Sequence, residues 1–233
     1  MRTEAKGYFL KEYGAWSVLT IACLIGIGVS RGFTWLVFPL FIALGLLINS
    51  KQAFTKWLRR KEDQGSFAIF IGQIVVAAAV LMTIFGSDVP RLLPFLVIPA
   101  VYLLLNRFAG EHFILTELLG FALISLAAVL AKFLITNGVD IRLFVAVALY
   151  FTAGVFKIKA VLFKRTMDRV LTVLYVLFAV VVYRSFHLSF LLLLPLLENI
   201  VAAATLYKVR LQTAGWIEVV KSLAFLLLML LYY

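Results

Sequence analysis

The stretch Phe113–Thr136 reads FILTELLGFALISLAAVLAKFLIT, interrupted only by Glu117 near one end and Lys132 near the other. As an α-helix it is about 36 Å long, more than the roughly 30 Å hydrocarbon core of a bilayer. Similar runs fill the chain on both sides of it. Charges, Gly and Pro punctuate them into nine predicted spans, at 14–30, 32–50, 66–86, 91–106, 113–136, 141–157, 169–185, 188–207 and 212–232. The spans at 91–106 and 141–157 are short and are expected to tilt or to pair as hairpins. The first span follows Arg2, Lys6 and Lys11 as a signal peptide would. It is read as retained, because it lacks a small-residue cleavage pattern and Arg31 opens the next span at once.

Composition agrees with the spans. Of the 233 residues 64% are hydrophobic and only 14% charged, and mean hydropathy is +1.08. A soluble domain has about 25% charged residues, so this chain is too apolar to keep a surface in water. The expected fold is an all-α polytopic membrane bundle, forming one integral membrane domain over residues 1–233. Cys23 is the sole cysteine, which excludes an internal disulfide and a Cys-rich zinc site. His112 and His187 lie far apart and on opposite sides of the membrane in this topology, which argues against a haem-ligating pair. No metal or cofactor is expected.

The net charge of +11 would suggest nucleic acid in a soluble protein. Here it is better explained by cytoplasmic loops resting on anionic lipid, so no nucleic-acid partner is expected. With the N-terminus inside, sixteen Lys and Arg fall on inner segments and four on outer turns: Arg31, Arg91, Arg142 and Arg184. The positive-inside rule therefore predicts a multi-pass protein of the cytoplasmic membrane with its N-terminus in the cytoplasm. Two inner loops are long, at about 51–65 and 158–168. They are four spans apart, which suggests that spans one to four repeat in spans five to eight, with the ninth added.

The candidate ligand-binding residues fall into three groups. Asn49, Gln52, Lys56, Arg59 and Arg60 recur at steps of three or four at the end of span two, hence on one helix face. Lys157, Lys164 and Arg165 are spaced to share a face after span six. If those two helices are neighbours, their basic ends suit an anionic lipid headgroup, a phosphate or a pyrophosphate. The plainer alternative is a topology signal alone. At the chain's start, Lys11, Glu12, Tyr13 and Trp16 either line the inner rim of a cavity or form an aromatic interface belt. The third group is Glu198, Glu218 and Lys221, near the middle of spans eight and nine. Ionised groups at that depth cost roughly 2.5–3.5 kcal/mol each on insertion scales, so they are expected to face inward and find partners. Glu198 and Lys221 match in depth, and Glu218 lies one turn before Lys221. The pair serves either as a staple between helices or as the wall of a polar cavity. Glu117 and Asn106 belong to the same inner polar layer. Lys132 lies close enough to the outer surface to snorkel and receives no role.

Lys11-Glu-Tyr-Gly-Ala-Trp16 resembles the "(Q/E)HGAW" opening of the YwiC-like family of bacterial and archaeal membrane proteins. Gly154-Val-Phe-Lys-Ile-Lys-Ala-Val-Leu-Phe-Lys-Arg165 is similar to that family's "GS-x-x-x-VK-x-x-x-R" stretch. Leu206-Tyr207 followed by Gly215-Trp-Ile-Glu218 is similar to its closing "LY…G-x-x-E". One departure stands out: Tyr13 occupies the place of the family's histidine, so any acid–base work of that histidine is missing here. The span count and the two long inner loops also resemble UbiA-type prenyltransferases, whose loops carry aspartate motifs for Mg²⁺-pyrophosphate. Here the equivalent loops carry Lys and Arg, and no D-x-x-D or D-x-x-x-D pair exists. The resemblance thus implies a 4+4+1 bundle without the Mg²⁺-assisted ionisation.

The functional expectation is binding, or metal-free modification, of an anionic lipid or isoprenoid-like molecule in an intramembrane cavity open to the cytoplasmic side. The alternatives are a small-solute or ion transporter with a midplane Glu/Lys site, and a non-enzymatic assembly partner of a membrane complex. A lipid-open cavity would favour the first, and helices broken at midplane the second.

Overall fold

The computed structural model describes residues 13–59, 64–205 and 211–233. Lys11, Glu12, Arg60 and the side chains of Tyr13 and Arg59 lie outside the described residues. Those residues form α1 (Tyr13–Ser30), α2 (Val37–Arg59), α3 (Gln64–Phe85), α4 (Val89–Leu92), α5 (Val97–Phe108), α6 (Ile114–Thr136), α7 (Ile141–Phe163), α8 (Thr166–Ser185), α9 (Leu197–Thr205) and α10 (Leu211–Tyr232). Short 3₁₀ turns join α3 to α4 and α4 to α5, and a longer one, Phe190–Leu196, leads into α9. The protein is an all-α, multi-pass membrane bundle. Among the described residues six helical stretches are long and apolar enough to cross a bilayer, and Gly14–Ser30 and Phe190–Thr205 are shorter apolar helices.

The stretch from residue 64 to 108 is helical almost throughout, yet it is not one rod. Trp57 touches Phe67 at a ring distance of 5.1 Å and lies under the Arg107 guanidinium at 5.8 Å. A straight helix would hold residues 67 and 107 about 60 Å apart. The chain therefore doubles back, with the reversal beginning at Gly86. That residue has φ +49°, a left-handed conformation that costs glycine little.

α1 packs against α6 and α10, and more lightly against α2 and α7, so it stands near the centre of the bundle. A bilayer supplies no hydrophobic drive between helices, and close packing takes its place. Gly26 of α1 meets Ala128 and Ala131 of α6, all three buried. A Cβ on Gly26 would sit 2.2 Å from the Ala128 carbonyl oxygen, so only glycine allows this approach. Trp16 lies against Gly45 of α2, where a Cβ would come within 3.0 Å of its ring.

α7 and α8 are held by buried hydroxyls instead. Tyr183 donates to the Ala146 carbonyl at 2.9 Å, Tyr175 to that of Leu149 at 3.1 Å, and Tyr175 also meets Thr152. α7 begins on Asp140, whose side chain accepts the Leu143 N–H at 3.0 Å, and ends on Lys164 in a left-handed conformation.

Candidate functional site

Pro195 shapes the site. It lacks an N–H and sits inside the 3₁₀ segment, so regular α-helix resumes only at Leu197. Glu198 and Asn199 therefore lie in the first turn of α9. Glu218 and Lys221 are one turn apart on α10, and Lys157 is two turns before the end of α7. The tertiary fold brings these three helices together. Lys157 Nζ lies 2.6 Å from both Glu198 Oε2 and Glu218 Oε1. Lys221 Nζ lies 2.8 Å from Glu198 Oε2 and 3.1 Å from Glu218 Oε1. Lys221 also donates to Asn199 Oδ1. Among the described residues these four charges form a ring in which each ammonium is shared by both carboxylates. Both lysines are buried, whereas the Glu198 and Glu218 side chains are 26% and 31% exposed.

Lys221 is about 15 Å along α10 from Leu211, and Lys157 is about 9 Å before the end of α7. The ring is thus embedded at membrane depth, where an uncompensated charge is expensive. The two lysines and two carboxylates sum to zero.

A groove of about 460 Å³ opens beside the ring, between the 3₁₀ segment and α10. Glu198 and Lys221 line one part of it; the rest is Leu194, Pro195, Val220, Ala224, Leu227 and Leu228. Leu194, Val220 and Leu227 are each about half exposed or more, so the groove opens sideways to lipid.

The other sequence candidates are distributed differently. Lys157 turns inward to the ring and does not join Lys164 and Arg165, which stand exposed, Arg165 over the Phe163 ring. Asn49 is buried and Gln52 and Lys56 are half-buried on α2. α2 packs against α3, α6 and α1, and α7 against α6, α8 and α9. α2 and α7 thus pack mainly on other helices rather than on each other. Trp16 is half-buried against α2. Glu117 pairs with Lys159 at 2.7 Å, with His112 beside it, and Asn106 is buried on α5. Arg169, which the sequence reading counted only among the inner basic charges, donates to the Ala203 and Ala204 carbonyls at 2.6 and 3.0 Å and so holds the end of α9 against α8.

Sequence reasoning missed the place of Lys157. Charge balance offered the signal: Glu198 and Glu218 outnumber Lys221 at membrane depth, so a second cation was required. Lys132 was also underrated. It pairs with Asp140 at 2.6 Å and lies 5.3 Å from the Tyr233 ring, while the Tyr233 hydroxyl donates to Asp140 at 2.8 Å. This latch ties the last residue to the α6–α7 turn. Burial raises the Asp140 carboxyl. The bonds from Lys132, the Leu143 N–H and Tyr233, with the Lys132 charge, outweigh that and hold it below the ordinary aspartate value. A depressed folded value stabilises above the unfolded pKa, about 3.9, and that stability is lost as pH falls through the folded value. The unfolding midpoint of Asp140→Asn in detergent should accordingly fall less steeply below about pH 4 than that of the parent. Parallel curves would remove Asp140 from the acid sensitivity.

The fold and the site define a class: a multi-pass helical membrane protein with a charge-neutral ion-pair ring beside a lipid-open groove. Within that class the chain belongs to the YwiC-like protein family, whose model matches residues 10–132. The match covers the Gly-Ala-Trp opening and ends before Lys157, so the ring lies beyond it. No curated protein and no solved structure matches the chain.

Proposed function

We propose that this protein binds, and on binding presents or modifies, an isoprenoid-like or other single-chain amphiphile, its tail in the groove between the 3₁₀ segment and α10 and its head at Glu198 and Lys221. The observation that carries this reading is the groove itself: apolar walls open to lipid, with the buried Lys221 and the half-buried Glu198 at one part. Anionic membrane lipid would gather separately at the basic cytoplasmic ends of α2 and α7. The test fills the groove. Ala224→Trp should reduce the amphiphile that co-purifies, read by native mass spectrometry, while the melting temperature stays within a few degrees. Unchanged co-purification would sink the groove reading.

Nine crossings with a cytoplasmic N-terminus follow as part of the same reading. The doubled-back stretch 64–108 counts as two arms, and the two shorter apolar helices count as one each. The 4+4+1 repeat draws support from packing: α2 packs with α3 as α7 does with α8, and α2 touches α6 as α1 touches α7. In a Cys23→Ala background, a cysteine at Arg165 should be shielded from an impermeant thiol reagent in intact cells, and one added after Tyr233 labelled. The reverse pattern would invert the topology.

A second reading is transport of a small solute or ion. The break at Pro195, directly before Glu198, favours it, because discontinuous helices at membrane depth commonly build transport sites. Uptake into proteoliposomes that is abolished by Glu198→Gln, with amphiphile retention unchanged, would select it.

A further inference from the structure

Resting on the transport reading above, we infer that the ion handled by the ring is a proton, passed between Glu218 and Glu198 through the Lys157 ammonium. The two carboxylates open in different directions. Glu198 lines the groove, and its side chain is 26% exposed. Glu218 is 31% exposed and does not line it. At about 100° per residue, the groove side of α10 centres on Ala224, and Glu218 points about 120° away from that centre. Phe225 and Met229 lie on the Glu218 side of α10 and are fully buried, so this side faces the bundle. Phe225 also stacks on Tyr150 of α7 at a ring distance of 3.8 Å. The surface that Glu218 exposes therefore opens the other way, toward the start of α10 and the end of α7.

Two glycines keep that opening clear. A Cβ on Gly154 of α7 would stand 3.9 Å from Glu218 Oε2 and, among the described residues, would meet nothing else from another element within 4 Å. Gly215, one turn before Glu218, also faces open space among the described residues. The topology proposed above puts these helix ends in the cytoplasm. The groove runs the opposite way along α10, from Val220 to Leu228, about 12 Å. The ring thus stands as a partition between an inner opening and a lateral groove.

Lys157 spans the partition. Its Nζ donates to Glu218 Oε1 and to Glu198 Oε2, each at 2.6 Å. Lys221 also donates to Asn199 and to both Glu218 oxygens, which holds it as the fixed positive charge of the ring. A proton from the inner opening adds to the Glu218 carboxylate. Lys157 gives an N–H proton to Glu198 Oε2, and the amine left behind takes the proton from Glu218. One N–H bond breaks as one O–H forms, then one O–H breaks as one N–H forms. Lys157 ends as it began, and one proton has moved from Glu218 to Glu198. Glu198 then releases it to water or to a proton-accepting solute in the groove, and both ion pairs are restored.

The full chain, reconstituted into liposomes loaded with the pH dye pyranine, tests this under a potassium gradient with valinomycin. Parent liposomes should acidify well above the protein-free rate. Lys157→Arg keeps the positive charge but puts a guanidinium, which does not release its proton in proteins, in place of the ammonium; it should lower the rate about tenfold while eluting as the parent does on size-exclusion chromatography. Dicyclohexylcarbodiimide modifies protonated carboxyls in apolar surroundings. On the parent it should block the flux and be found by mass spectrometry on Glu198 or Glu218, a readout that needs no variant to fold. Parent flux at the protein-free level overturns the inference, as does flux unchanged in folded Lys157→Arg or after the carbodiimide. Uptake of radioactive sodium that Glu198→Gln abolishes, with no proton flux, overturns it while leaving the transport reading in place. Absence of both fluxes removes the transport reading, and this inference with it.

Discussion

Lys157→Met is expected to destabilise the bundle by about 3–5 kcal/mol, the range seen when one partner of a buried ion pair is removed. Two carboxylates converge on Lys157 Nζ, each at 2.6 Å, and the lysine side chain is only 4% exposed. Its loss leaves Glu198 and Glu218 facing one another across a single remaining ammonium, Lys221. Methionine nearly preserves the volume, so the loss reflects charge rather than a cavity. The melting temperature in a mild detergent, with retention on size-exclusion chromatography, reads the effect. Lys164→Met is the matched control, since Lys164 is exposed and caps α7 through its backbone. It should change stability by no more than about 0.5 kcal/mol, as surface substitutions usually do. Equal effects from the two variants would mean that the ring contributes no special stability.

The second large effect is the way losses combine. Glu198→Gln and Lys221→Met should each cost about 3–5 kcal/mol, because each strands an opposite charge. Together they leave Lys157 and Glu218, still 2.6 Å apart and still balanced. The double variant should therefore be more stable than the sum of the singles predicts, by up to about 3 kcal/mol. Pairing Lys157→Met with Lys221→Met keeps both carboxylates and neither lysine, and should be the least stable combination of the set. Additive losses for Glu198→Gln with Lys221→Met would show that the ring does not act as one electrostatic unit. Retained amphiphile in that double variant would make the ring a scaffold, whereas loss of amphiphile despite recovered stability would place the ring in the site.

Most of the fold was legible because the bilayer imposes a simple rule. Backbone polar groups must be satisfied within the segment, so an apolar run of membrane length becomes a helix. Most predicted spans coincide with a helical element within a few residues, although α2 runs on to Arg59 where the apolar run suggested 50, and α7 extends to Phe163 where it suggested 157. The α7 extension has a physical cause: Lys157 is compensated by Glu198 and Glu218, so the helix can continue through a charge that looked like its end. Residues 190–196 departed from expectation in a different way. Their composition suits a membrane helix, but Pro195 diverts them into a 3₁₀ segment.

The site was half legible. Glu198, Glu218 and Lys221 were marked by their depth alone, since an ionised side chain in hydrocarbon must have a partner. Lys157 was grouped with Lys164 and Arg165 by helical spacing. Spacing along one helix cannot tell which neighbour that face meets. Asn199 carried no signal, because a neutral amide beside a glutamate is common at any depth.

By itself, then, the sequence determined the class of protein, its helices and the depth of its charges, all of which follow from local hydropathy and the dielectric of the bilayer. Only the tertiary structure decided which charges meet. Lys157 precedes Glu198 by 41 residues and Glu218 by 61, and Lys132 precedes Tyr233 by about a hundred. Those meetings depend on close approaches such as Gly26 on the Ala128 carbonyl, which set how α1 stands against α6. Such approaches are properties of two surfaces packed together, and no window along one chain contains them.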